Sequence, residues 1–280
     1  MRIKTFIILL LAMAFHTAKA QNGYAVDLNI KTEPTKNTTV NETKIGFSYE
    51  KNSHFSTLKN VLSYTNTSIN YQLESYDLHN SNNHFISIEN VFTFSRPINK
   101  AIQWNLTLHP TLNFQNTGTF SSFNFLGQFS LEYNVNTTKI NLGVMRSTVF
   151  GQSEILPYVS LFQQINKQTF AEIGFPNSRI VYANTTRNSF SLSNNFAGTY
   201  YKLDHTTNLD ENNTADRVRF SQMTTALEFQ RNMDKNWYIS LKTGYVFNKE
   251  YQKTTNTNTT VLDYNLNNGP TFSVGLQYKH

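Results

Sequence analysis

The chain contains no cysteine. Disulfide scaffolds, thiolate catalysis and cysteine-based metal sites are therefore excluded, and a bacterial envelope suits a secreted chain of this kind better than an oxidising extracellular space full of cross-linked domains. Long apolar runs are missing too. The one continuous run, Phe6–Phe15, falls well short of the roughly 20 residues that a membrane-crossing helix needs. No apolar stripe at i, i+3, i+4, i+7 persists for three turns, so an amphipathic helix is not expected. Charge is scarce at 15% of residues, against about 25% in ordinary soluble domains. No Lys/Arg cluster backs the net charge of +6, and no Gly-x-x-x-x-Gly-Lys or Gly-x-Gly-x-x-Gly pattern occurs, so nucleic-acid and nucleotide binding find no support. Glycine (11) and proline (6) form no linker, which leaves one domain.

The first twenty residues read as a secretion signal. Arg2 and Lys4 precede the short apolar run, and Ala18-Lys19-Ala20 is a small-x-small cleavage site. The domain is expected over residues 21–280. Removing Arg2, Lys4 and Lys19 lowers the net charge from +6 to +3. No cysteine follows to carry a lipoprotein anchor. Triplets such as Asn66-Thr67-Ser68, Asn136-Thr137-Thr138 and Asn258-Thr259-Thr260 have the form of glycosylation acceptors, but Asn and Thr are also the turn and wet-face residues of this chain.

What the chain does have is alternation. In Ile102–Phe114 every even position except Pro110 is apolar and every odd position polar, which gives a strand one apolar and one wet face. The same rhythm recurs in Tyr24–Ile30, Ile45–Tyr49, Leu62–Leu73, Phe85–Phe94 and Phe123–Tyr133. It continues in Ile140–Phe150, Ile155–Ile165, Phe170–Phe175, Phe190–Leu203, Val218–Phe229, Trp237–Phe247 and Phe272–Tyr278. No segment reads as a second layer to cover so many apolar faces. Lipid covers them in a barrel, and because only alternate residues face it, overall hydrophobicity stays mild (39%). The 22 Phe and 15 Tyr suit both strands and membrane boundaries.

The expected fold is thus all-β: a membrane-spanning, antiparallel, up-and-down barrel. Thirteen segments are visible, whereas single-chain bacterial barrels close on an even number. Twelve strands are expected, with fourteen the alternative, and Phe175–Leu203 is the weakest stretch. Short turns fall at Pro97–Lys100, Asn134–Thr138, Asn166-Lys167 and Asn232–Asn236. Long polar loops are expected at Lys31–Thr43, Asp204–Asp216 and Lys249–Thr260. Barrels of this class put short turns at the periplasm and long loops outside.

Wet-face charges are the candidate lumen-lining residues: Glu89, His109, Glu132, Arg146, Glu172, Arg179, Glu228 and Lys242. Arg146 and Arg179 are candidate partners for Glu132 and Glu172, since a charge inside a barrel must be paired or hydrated. Six histidines follow the signal (His54, His79, His84, His109, His205, His280), none at a metal-binding spacing, so no metal or cofactor is expected. His109, Ser130 and Glu132 are the one set that suggests a lipid hydrolase or acyltransferase, although no Gly-x-Ser-x-Gly elbow accompanies them. A soluble surface-binding or adhesin-like β-protein is a third reading.

The terminal strand Thr271–His280 resembles the assembly signal of bacterial outer-membrane barrels, with Ser273, Gly275 and Tyr278 matching and His280 standing where an aromatic usually ends the chain. Leu156-Pro157-Tyr158-Val159-Ser160, the turn at Asn166-Lys167 and Ile173-Gly174-Phe175-Pro176-Asn177-Ser178-Arg179-Ile180 resemble a family of uncharacterised Gram-negative outer-membrane barrels, a domain of unknown function. The resemblance implies an outer-membrane location and no known activity. The implied partners are outer-membrane lipid, the barrel-assembly machinery and a small solute. A pore-like, passive-transport or structural role is the leading expectation.

Overall fold

The computed structural model describes residues 22–35, 38–53, 55–71, 83–210, 213–255 and 259–280. The proposed signal, residues 1–20, lies outside them, as do His54 and His79. The described residues form strands β1 (Asn22–Pro34), β2 (Thr38–Ser53), β3 (Ser56–Tyr71), β4 (Asn83–Pro97) and β5 (Ile102–Phe114). Next come β6 (Phe123–Val135), β7 (Thr138–Ser147), β8 (Glu154–Gln164), β9 (Thr169–Phe175) and β10 (Asn177–Ala183). The last are β11 (Asn188–Asp210), β12 (Asn213–Asn232), β13 (Trp237–Thr254), β14 (Thr260–Asn265) and β15 (Gly269–Lys279).

Each strand pairs antiparallel with the next from β1 to β13, β13 pairs with β15, and β15 pairs back with β1. The ring therefore closes with fourteen strands, the larger of the two expected numbers. β14 stands outside the ring, hydrogen-bonded to the end of β13. The strand that the alternation hid is β10, in the stretch where the rhythm is weakest.

Both described termini and the short turns share one end, called here the near end. Local hydrogen bonds fix these turns. Asn99 Oδ1 accepts from the Ala101 and Ile102 N–H groups at 2.8 Å each, and Asn166 Oδ1 accepts from Gln168 and Thr169 at 2.8 and 2.9 Å.

The wall has two tiers of opposite polarity. In the near tier the apolar face points out: Leu142 and Val144 on β7 are 56% and 55% exposed, with Phe129 and Leu131 beside them on β6. Such an area of exposed apolar side chains needs lipid against it. Beyond Ile30, Ile45 and Tyr64 the outward residues turn polar (Thr32; Asn41; Asn66 and Ser68), and the inward ones become the buried core. Val40, Ile69, Phe85, Tyr201, Leu203, Val218, Tyr251 and Leu266 pack together there, with Phe85 and Val218 fully buried. This far tier is built like a water-soluble protein.

On β13 a bulge performs the exchange. Ser221 pairs with Glu250 but Met223 pairs with Phe247, so β13 carries one extra residue, and Asn248 takes a positive φ of 47°. Parity flips across it: Tyr245 points out below, Tyr251 in above. The strands therefore run on where loops were expected. Among the described side chains of Lys31–Thr43 and 249–255, polar residues that look like loop, such as Thr32, Asn41, Thr43 and Gln252, belong to the outward face of β1, β2 and β13.

Among the described residues, β6 to β10 do not reach this height and contribute nothing to the far core, and β9 and β10 end lower than β8. Their hairpin turns at Pro176, whereas β11 runs on to Asp210. Past the turn β11 leans across to β5, where the Gln115 N–H donates to Lys202 O at 3.0 Å.

Candidate functional site

Inside the near tier lies a cavity of about 750 Å³, lined by charged residues Glu172, Arg179, Glu228, Lys242 and Lys279 and by Phe170. Ser189, Ser191 and Ser193 form a hydroxyl ladder up β11 on the same wall. Alternation places all of these: they are the inward positions of β9 to β13 and β15. Glu172 and Arg179 meet across the β9–β10 hairpin, Arg179 Nε lying 3.1 Å from Glu172 Oε2, and the guanidinium carbon also sits 5.3 Å from the Phe170 ring centroid. Ser160 donates a further hydrogen bond to Glu172 at 3.1 Å. Glu228 and Lys242 face each other across β12 and β13.

The other candidates lie elsewhere on the wall. Glu89 and His109 point inward from β4 and β5, with His109 Nε2 3.5 Å from Glu89 Oε2. Glu132 is also inward, but its partners are Lys139 at 3.7 Å and Asn141, which donates at 3.2 Å. Arg146 does not join it. It is exposed and shares the outward face of β7 with Ile140, Leu142 and Val144, four even-numbered positions in a row. The Arg146–Glu132 pairing is thereby corrected, because strand parity sets the two side chains on opposite faces of the wall.

Ser130 and His109 do not form a catalytic pair. Ser130 sits opposite Asn105, four residues down β5 from His109 and so about 13 Å away at 3.3 Å per residue. Among the described residues no three His, Asp or Glu side chains gather as a cation site.

The terminal strand closes the ring. Tyr278 faces outward, 5.1 Å from Trp237, and His280 stacks on Tyr24 at 4.9 Å while exchanging backbone hydrogen bonds with it. Ser273 and Gly275 sit at inward positions of β15, opposite Lys31 and Asn29.

A second polar group went unread in the sequence. At the edge of the far-tier core, Lys249 Nζ lies 2.8 Å from Glu33 Oε2, both side chains 1% exposed. Lys31 lies 3.3 Å from Glu33 and 2.9 Å from Glu42, and Gln222 donates to Glu33 at 2.9 Å. Glu33 stands beyond the apolar band. Burial pushes its carboxyl up, but the Lys31 and Lys249 ammonium groups outweigh this and hold it at about 2. These partners are as far apart in sequence as Glu33 and Lys249, and no local spacing signals them.

No family model and no curated protein matches the chain. Similar solved structures are barrels. The toluene transporter TodX of Pseudomonas putida is 9% identical, with 94% of this chain and 90% of that one covered at a TM-score of 0.45. An outer membrane channel from Pseudomonas putida F1 is 6% identical, with 92% and 95% covered at 0.49. The KdgM porin is 11% identical, with 91% and 98% covered at 0.39. At this level the likeness concerns strands arranged in a ring, and no residue role transfers.

Proposed function

We propose that this chain is a bacterial outer-membrane barrel offering a passive path to a small solute. The observation that carries the reading is the pairing of an outward apolar belt with an inward, mixed-charge cavity of about 750 Å³. A barrel whose only task was to anchor a domain would have no need for so large a polar interior. The alternation of Glu172, Arg179, Glu228 and Lys242 along its wall gives water and polar solutes partners of both signs, with no single charge dominating.

The secretion signal, the absence of cysteine and the terminal strand support the outer membrane as its location. Ser273, Gly275, Tyr278 and His280 are the residues the assembly machinery would read. The local resemblance at 156–180 to uncharacterised Gram-negative barrels agrees with this and supplies no activity. The test is permeation. Vesicles holding the refolded protein, verified by heat-modifiable gel mobility, should admit small solutes or ions that empty vesicles exclude. Vesicles as tight as empty ones to ions, sugars and amphiphiles alike would overturn the reading.

A further inference from the structure

The far-tier core stands across the straight way out of the lumen, with Val40, Ile69, Phe85 and Val218 at 3% exposure or less. The wall, however, is thin in one place. The β9–β10 hairpin ends at Pro176, with Phe175 opposite Val159 and Asn177 opposite Asn195. Past this tip the 154–158 part of β8 has no strand on its β9 side. β11 past Asn195 likewise has none on its β10 side until it touches β5 at Lys202.

The apolar belt has not ended at that height. Two outward positions past Val159 on β8, Ile155 is 80% exposed, and Phe125 and Phe123 continue the belt on β6. The gap in strand pairing therefore opens towards lipid, where unpaired backbone is poorly tolerated unless something covers it. The cover is the β7–β8 connection, residues 148–153. Thr148 Oγ1 donates to Gly198 O at 2.9 Å. A Cβ on Gly198 would lie 2.2 Å from Thr148 O and 2.6 Å from the Gly151 nitrogen, so the strap lies on bare backbone. On the outside, the strap's Phe150 packs against Phe175 of the hairpin and Phe196 of β11, with ring centroids 5.9 and 6.2 Å away. On the inside, Asn177 at the tip and Asn195 line the lumen cavity.

We propose that the gap between β8 and β11 is a lateral doorway, latched by the 148–153 strap, through which a small amphiphile passes between the lipid belt and the lumen. The proposal rests on the transport reading above and adds the route and the class of cargo. Three phenylalanines meet an apolar body on the lipid side. Just inside, Asn177, Asn195, Arg179 and Glu172 meet a polar or charged head. A purely apolar cargo would find no partner in that cavity, and a purely polar one would not enter through the aromatic latch. The strap is held by three rings and by side-chain hydrogen bonds, Thr148 to Gly198 O, Arg219 of β12 to Gln152 and Asn124 of β6 to Ser153, none of them a strand-pairing bond, so opening it leaves every ring-closing strand pair intact.

Because the chain has no cysteine, disulfide staples can be placed cleanly. The probe is 8-anilinonaphthalene-1-sulfonate, an anionic aromatic amphiphile, entering albumin-loaded proteoliposomes, with glucose as a purely polar counterpart. Three forms are compared oxidised and reduced: wild type, the latch staple Phe150→Cys/Phe196→Cys, and a far-tier staple Phe85→Cys/Tyr201→Cys across rings 4.6 Å apart. The doorway predicts that the oxidised latch staple takes up the amphiphile at least tenfold more slowly than its own reduced form, whereas the oxidised and reduced forms of the far-tier staple take it up equally. Gly198→Val, which unseats the strap, should raise influx several-fold. Influx blocked by the far-tier staple and indifferent to the latch would overturn the doorway while leaving transport standing. A wild type that admits neither amphiphile, glucose nor ions would overturn the transport reading and the doorway with it.

Discussion

The near and far tiers share strands β1 to β5 and β11 to β13, yet they solve opposite problems. The near tier shows apolar residues to the outside and keeps its charges in a wet interior. The far tier shows Asn, Thr and Ser to the outside and buries Phe85, Tyr201, Val218 and Tyr251. What differs is the solvent on the outside, and each tier places on that side the residues that its solvent tolerates. Charges follow the same logic. In the near tier the Arg179–Glu172 pair stays hydrated, with Arg179 56% exposed. In the far tier Glu33 and Lys249 are sealed at 1% and hold each other. Exchanging the two polarities requires either a change of sequence pattern, as on β1 to β3, or an extra residue, as at Asn248 on β13.

The comparison breaks most sharply in the far-tier core. Phe85→Ala should cost about 3–5 kcal/mol, because it empties a fully buried site that cannot fill with lipid. Hydrogen exchange should then accelerate at the far ends of β2, β3, β4 and β11 and not at their near ends. Uniform acceleration along the strands would mean the tiers are not separate units. Acid should act next most strongly, and on the same tier. The Glu33 carboxyl is lowered from 4.5 in its unperturbed state to about 2 when folded, so its contribution is fully present above 4.5 and is lost as pH falls towards 2. That loss amounts to roughly 3 kcal/mol. It should appear as far-tier exchange rising over pH 4.5 to 2, and Lys249→Met should shrink the pH dependence.

A third test addresses the near tier. Leu131→Arg places a charge on the lipid face, at a cost of about 2 kcal/mol that depends on depth. The penalty should be measurable by unfolding from bilayers, while far-tier exchange stays unchanged. The smallest effect belongs to the lumen. Glu172→Gln breaks a hydrated pair worth at most about 1 kcal/mol, with solvent screening reducing it further. Stability should barely move, whereas the preference for anions over cations in vesicle flux should rise.

The sequence carried the near tier well and the far tier poorly, for one physical reason. In Ile102–Phe114 or Phe123–Tyr133 the apolar face is unbroken, and period two stands out. In the described parts of the expected loops, 31–35, 38–43 and 249–255, the few inward apolar residues, such as Val40 and Tyr251, stand among Thr, Asn and charged residues, so the stretches read as loops. β10 escaped notice because its first inward residues, Asn177 and Arg179, are lumen residues next to a turn. For the candidate site, Glu172 and Arg179 were legible as charge partners on the wet face, but the hairpin at Pro176 that brings them together was not. Arg146 was misplaced although Ile140, Leu142 and Val144 already gave its parity. Glu33 with Lys249 was beyond reach, since their meeting depends on the ring closing and on the bulge at Asn248.

The exchange of polarity along β13 can be measured directly. Single nitroxide labels at Leu241 and Gln252, in a chain free of native cysteine and reconstituted in vesicles, report which solvent touches the outer wall. The account predicts that relaxation of the Leu241 label is governed by dissolved oxygen, as in lipid, and that of the Gln252 label by a water-soluble nickel chelate. If both labels answer to oxygen, or both to the chelate, the two-tier wall is contradicted.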